Sequence, residues 1–190
     1  MRPSSIAAFR ASLVLALLLA GLSRQSVARS QAPNRLVDSS GKTVGAIVGS
    51  LGGGILFVLR KVNQYAVEFL VERDGILNTG DGGFMHDTTD CSGPRFLSVV
   101  DEKVLVRDVT RIDFSSTGAG PFEYHFAGDP IQSHKVKSFE WSAAPDDCKP
   151  PFATRLANGL CCFPANTILI GGPANVAIDP SKLHPPFSIR

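Results

Sequence analysis

The sequence predicts an all-β fold, a single domain of short antiparallel strands stapled by disulfides, and three observations carry that reading. Residues 65–72 alternate, with Tyr65, Val67, Phe69 and Val71 on one face and Ala66, Glu68, Leu70 and Glu72 on the other, the period of two of a half-buried strand. Short apolar runs recur along the chain between clusters of Gly, Asp, Asn, Ser and Pro, the punctuation of strands joined by turns. No window carries an apolar stripe at helical spacing, and only residues 153–160 are candidates for a short helix. The pattern is compatible with a sandwich, a barrel or a β-roll.

The chain opens with Arg2 and Arg10 before an apolar run at residues 13–20, then Ser26-Val27-Ala28. That is the layout of an export signal cleaved after a small residue, here Ala28. The run falls short of the roughly 20 residues that span a bilayer, and no later run approaches that length. No cysteine follows it closely to take a lipid anchor. Cleavage removes Arg2, Arg10 and Arg24 and no acidic residue, so the +2 of the full chain becomes about −1 in a mature chain of about 162 residues. The mature chain therefore has no basic surplus to recommend nucleic acid or anionic membrane, and Lys135 with Lys137 is the nearest approach to a basic patch. No Asn-x-Ser/Thr sequon occurs. The expectation is soluble export from a bacterial cell, to the periplasm or beyond.

Residues 29–35 read as a loose lead-in and residues 36–190 as the β-rich domain. A turn at 38–42 precedes a strand at 43–48, a flexible glycine-rich connection at 50–54, and the apolar run 55–59, expected to be buried on both faces. A hairpin connection at 61–64 leads into the alternating strand. After Asp74-Gly75 and the 78–83 cluster come candidate strands at 84–88 and 95–100, flanking the turn Asp90-Cys91-Ser92-Gly93-Pro94. One or two strands follow in 103–114. Others are expected at 122–126, 136–141, 167–170 and 174–178, with a loop at 146–151, and Pro185-Pro186 ends the pattern.

Cys91, Cys148, Cys161 and Cys162 all lie in the exported part, and an even count in an oxidising compartment reads as two disulfides. A bond between the adjacent Cys161 and Cys162 needs a strained eight-membered ring, so Cys91 and Cys148 are each expected to take one of that pair. Closing the long loop from Cys91 stabilises by about 4 kcal/mol in the chain-entropy account, and the short loop from Cys148 by somewhat less. A zinc cluster is the weaker alternative, because adjacent cysteines lack Cys-x-x-Cys spacing.

The stretch Val37-Asp38-Ser39-Ser40-Gly41-Lys42-Thr43-Val44-Gly45, the hairpin ending near Asp74-Gly75, and Thr89-Asp90-Cys91-Ser92-Gly93-Pro94 resemble a group of uncharacterised secreted bacterial β-rich proteins. Those chains share a D-x-x-G-x-x-V-G opening and a D-C-x-G-P-like turn. The aromatic strand 122–126, Cys148 and Pro186-Phe187 fall where that group carries similar features. The resemblance covers roughly residues 36–190 and implies a secreted β-domain, with no catalytic residue to carry across.

Candidate chemistry is sparse. Asp81, His86, Asp87 and Asp90 form the densest group of ligand or acid–base types, but strand alternation would send His86 and Asp87 to opposite faces, and the spacing is not that of a calcium loop. Solvated turn residues are the plainer reading, with Asp90 accepting bonds from the amides after it. His125 could pair with His134 on a metal or act as a base with Asp129, yet it alternates with Phe122, Tyr124 and Phe126 and is expected to face solvent. No serine sits in a nucleophile elbow, and residues 49–54 lack the Lys-Ser/Thr of a phosphate loop. Trp141, Tyr65 and Tyr124 are candidate stacking platforms, though such aromatics are mostly core.

The expected function is that of an exported, non-enzymatic β-domain acting by surface contact with an unidentified protein or cell-surface partner, as an envelope or extracellular interaction module. No cofactor, no nucleic acid and no integral membrane anchor in the mature chain are expected. The alternatives are a secreted hydrolase or metal-dependent enzyme built on His86 with Asp87 or Asp90, or on His125 with Asp129, and a small-ligand or glycan-binding domain.

Overall fold

The computed structural model describes residues 33–77, 82–103, 105–115 and 121–190, and residues 33–190 cluster as one unit. The export-signal reading and Asp81 lie outside the described residues. The described residues are all-β, with fourteen strands in two sheets and only three-residue 3₁₀ turns besides.

The first sheet holds β1 (Arg35–Val37), β2 (Thr43–Leu51), β3 (Ile55–Val62), β4 (Tyr65–Glu72), β5 (Gly75–Ile76), β8 (Val106–Asp108) and β14 (Ser188–Ile189). Its order is β14-β1-β2-β3-β4-β5, with β8 laid parallel against β4. Asp38 makes the turn between β1 and β2, where its Oδ1 accepts the amides of Ser40 and Lys42 at 3.0 and 2.9 Å. Asn63, at φ 55°, lets Val62 and Tyr65 pair across the tight β3–β4 hairpin. The expected alternation of β4 is present: Val67, Phe69 and Val71 are buried, and Ala66, Glu68 and Leu70 are half-buried.

Two expectations fail in this sheet. The glycines at 52–54 form a 3₁₀ turn directly after β2 rather than a loose connection. Strand β3 is not buried on both faces: Val58 is fully buried, while Ile55, Phe57 and Leu59 on the opposite side stay half-exposed.

The second sheet holds β6 (Phe84–His86), β7 (Phe96–Ser98), β9 (Thr110–Asp113), β10 (Phe122–Ala127), β11 (Gln132–Trp141), β12 (Thr154–Arg155) and β13 (Cys161–Ile178). Its order is β11-β6-β7-β13-β10-β9, and β11 also pairs with β13, so β11, β6, β7 and β13 close into a ring of pairings. At the junction Gly171 faces Gln132 on one side and Ser98 on the other. A Cβ there would stand 2.5 Å from the Leu97 carbonyl oxygen, and at Gly172 1.9 Å from that of Gly128, so both positions require glycine. The two strands expected at 167–170 and 174–178 are thus one long strand. The helix entertained for 153–160 is instead β12 and a turn.

Two apolar clusters form the core. One joins Val44, Val58, Val67, Phe69 and Val71 of the first sheet to Tyr124, Phe126 and Ile178 of the second. The other gathers Phe84, Leu97, Ile112, Ala127 and Leu160. Strand β10 contributes to both, which decides the fate of His125.

Candidate functional site

The disulfides are Cys91–Cys162 and Cys148–Cys161, so each distant cysteine takes one of the adjacent pair, and no described cysteine is free. Successive residues of a strand point to opposite faces, so the dipeptide staples β13 from both sides. Cys162 lies opposite Glu140 of β11, and Cys161 opposite Trp141. Each face of this strand pair carries its own chemistry.

On the Glu140 face the chemistry is sealed. His86 and Glu140 are each 1% exposed, with His86 Nε2 2.9 Å from Glu140 Oε2. Arg95 adds two charge-assisted bonds, Nε to Oε2 at 3.0 Å and Nη2 to Oε1 at 2.6 Å, and Asn158 Nδ2 donates to Oε1. Burial pushes the Glu140 carboxyl up, but the bonds from His86, Arg95 and Asn158 and the Arg95 charge outweigh it and hold its pKa down at about 2. Facing a carboxylate that only accepts, His86 carries its hydrogen on Nε2, and its buried Nδ1 has no partner. Ser138 Oγ, also buried, donates to the Thr88 carbonyl at 2.7 Å and accepts from the Cys91 amide at 3.2 Å, so it ties the Cys91 turn to β11. All of these groups are committed to one another.

Among the described residues, His86, Asp87 and Asp90 do not converge as a ligand cluster. His86 is buried on Glu140 rather than solvated in a turn, because β6 pairs with β11 and places His86 opposite Ser138. Asp87 and Asp90 are exposed. Asp90 Oδ1 accepts the Ser92 hydroxyl at 2.6 Å and its amide at 3.1 Å, and these bonds hold the Asp90 carboxyl below its usual range. Cys91 at φ 56° and Gly93 at φ 84° complete the turn.

His125 contradicts its expectation as well: it is 6% exposed, its ring stands edge-on to Phe84 at 5.1 Å, and Nε2 meets Glu123 Oε2 at 2.7 Å. Strand β10 is flanked by β9 and β13 and has a core cluster on either face, so alternation there separates two interiors. Asp129 is bonded instead to Arg107 Nη2 at 2.8 Å, and His134 lies over Phe96 at 4.0 Å. Neither pairing proposed for His125 is formed. Among the described residues no three His, Cys, Asp or Glu side chains converge as metal ligands.

On the Trp141 face the chemistry is open. Trp141 is 37% exposed and stacks on Phe163 at 4.5 Å with ring planes 22° apart, while Phe139, opposite Phe163, lies 5.6 Å from the indole. Alternation along β11 puts Lys135 and Lys137, both exposed, on this face, with the exposed Ile168 opposite Lys135. Of the other platform candidates, Tyr124 is buried with its hydroxyl on the Ile76 carbonyl, and Tyr65 packs edge-on to Phe126 and accepts the Asp129 amide. The Phe139–Phe163 partnership was hidden in the sequence. The two residues are far apart in the chain, and only the β11–β13 register brings them together.

No protein-family model matches the chain, and comparison with curated proteins and with solved structures finds no match.

Proposed function

We propose that this chain is an exported β-domain that acts by contact, through the aromatic face of β11 and β13, with a protein or cell-surface partner. The observation that carries the reading is the half-exposed stack of Phe139, Trp141 and Phe163 directly above the doubly stapled dipeptide. Large aromatics laid open on a rigid strand pair are the usual anchors of a binding surface. The disulfides and the sealed Glu140 cluster hold that pair in one geometry, so little ordering entropy is lost on binding. Lys135 and Lys137 have no ion-pair partner among the described residues and would steer an acidic partner to the aromatics.

Export supports the same reading. Two disulfides suit an oxidising compartment, and among the described residues no helix is long and apolar enough to cross a membrane. Mass analysis of the protein recovered outside the cytoplasm should give Arg29 as the first residue.

The test compares wild type with Trp141→Ser and with Lys135→Glu/Lys137→Glu for binding of labelled protein to envelope preparations of the producing cell. Wild-type binding that weakens with salt, and is lost in both variants without loss of thermal stability, is the expected result. Undiminished binding by Trp141→Ser rejects the aromatic face.

A further inference from the structure

Glu68 of β4 and Asp108 of β8 are register partners in the parallel pairing, so their carboxyl groups leave the same face of the first sheet at neighbouring positions. Neither makes an ion pair with a described residue. Arg107, next to Asp108, has its guanidinium bonded to Asp129 and lying near the Tyr65 ring. Burial of Glu68 and the charge of Asp108 push the Glu68 carboxyl up.

The pair lines a cavity of about 560 Å³ walled by residues of both sheets. That size falls within the roughly 300–1,000 Å³ of small-molecule sites. Its apolar wall includes Phe57 and Leu70 from the first sheet and Leu97 and Leu169 from the second, and Arg107, whose charge is committed to Asp129, also lines it.

We propose that this cavity binds a small organic cation, an alkyl- or aryl-substituted ammonium, with its charge against Glu68 and Asp108 and its apolar part on Phe57 and the leucines. A neutral apolar guest would strip water from the carboxylates and return nothing, and an anion would meet two carboxylates beside a guanidinium already bonded to Asp129. A divalent cation wants six or more oxygens, and two carboxylates in an apolar wall fall short of that. An ammonium offsets the excess of carboxylates in the lining, and the half-exposed Phe57 ring adds the aromatic face that such cations favour. The site is separate from the aromatic face of β11 and β13, so either can fail without the other.

The test titrates the purified disulfide-bonded protein with hexyltrimethylammonium, hexanol and hexyl sulfate, which share a chain and differ in charge. Calorimetry and the NMR shifts of Phe57, Leu70, Leu97 and Leu169 follow binding. Saturable binding of the ammonium is expected, with shifts at those residues, about tenfold or more tighter than hexanol, and with no binding of the sulfate. In Glu68→Gln/Asp108→Asn the ammonium should fall to the affinity of hexanol while thermal stability holds or rises, since a repulsion has been removed. Equal affinity for ammonium and hexanol, shifts confined to other residues, no saturable binding, or a double variant that binds the ammonium like wild type would each overturn the proposal. If the double variant fails to fold, the charge series on wild type decides alone.

Discussion

The imidazole of His86 and the carboxylate of Glu140 meet at 2.9 Å beneath the β6–β11 pairing, closed to solvent, with Arg95 and Asn158 completing the acceptor sites of Glu140. An ionised carboxylate held this way makes folding depend on pH. Its folded-state pKa of about 2 lies below the ordinary 4.5, so its contribution is fully present above about pH 4.5 and is lost as pH falls toward 2. The shift corresponds to about 3 kcal/mol. Glu140→Gln should lose about that much at neutral pH and little near pH 2, flattening the acid limb of a stability profile measured by urea unfolding. A variant whose acid limb matches wild type would show that the pair contributes no pH dependence.

His125 carries the opposite liability. Burial pushes its pKa below the usual 6.5, against the pull of Glu123, so the fold favours the neutral ring. Its contribution is present above about pH 6.5 and is lost progressively below it. His125→Gln should remove a stability loss that begins near pH 6 in wild type, separable from the Glu140 effect at lower pH. A loss of equal size in the variant would place its origin elsewhere.

The two staples differ in the chain they close, spanning 71 and 13 residues. Replacing Cys91 and Cys162 by serine should cost about 4 kcal/mol, and replacing Cys148 and Cys161 about 3. Thermal unfolding of the two double variants under non-reducing conditions gives the order. The reverse order would mean that native packing around the shorter loop outweighs chain entropy.

Gly171 tests the closure of the second sheet. Gly171→Ala forces a methyl against the Leu97 carbonyl and Met85 and should cost roughly 1–3 kcal/mol. Gly75→Ala meets nothing within 4 Å and should change stability by less than about 0.5 kcal/mol. Similar midpoints for the two would mean that the ring has slack at this point.

What could be read in advance was whatever is local. The period of β4, the Asp38 and Asp90 turns and the division of the cysteines follow from neighbours in sequence, because alternation, side-chain acceptors and ring strain act over a few residues. What could not be read depends on register. Pro164, Gly171, Gly172 and Pro173 look like breaks, yet Pro164 lies where the β11–β13 pairing shifts and the glycines admit neighbouring backbone, so β13 runs through all four. His125 reads as facing solvent because alternation implies one wet face, whereas β10 has an interior on both sides. Glu68 and Asp108 gave no local sign of partnership, since a parallel pairing between distant strands leaves none.

Adjacent half-cystines also burden the maturation of this chain. If oxidation joined Cys91 to Cys161 and Cys148 to Cys162, the linked strand would have to advance by a single residue to accommodate the swap. Phe163 would then be driven inward, away from the indole it stacks on. Such an isomer is covalently stable but wrongly dressed on both faces of that strand. Correct biogenesis should therefore depend on a thiol catalyst able to reopen mistakes, and cells without one should accumulate a full-length, fully oxidised but misfolded form.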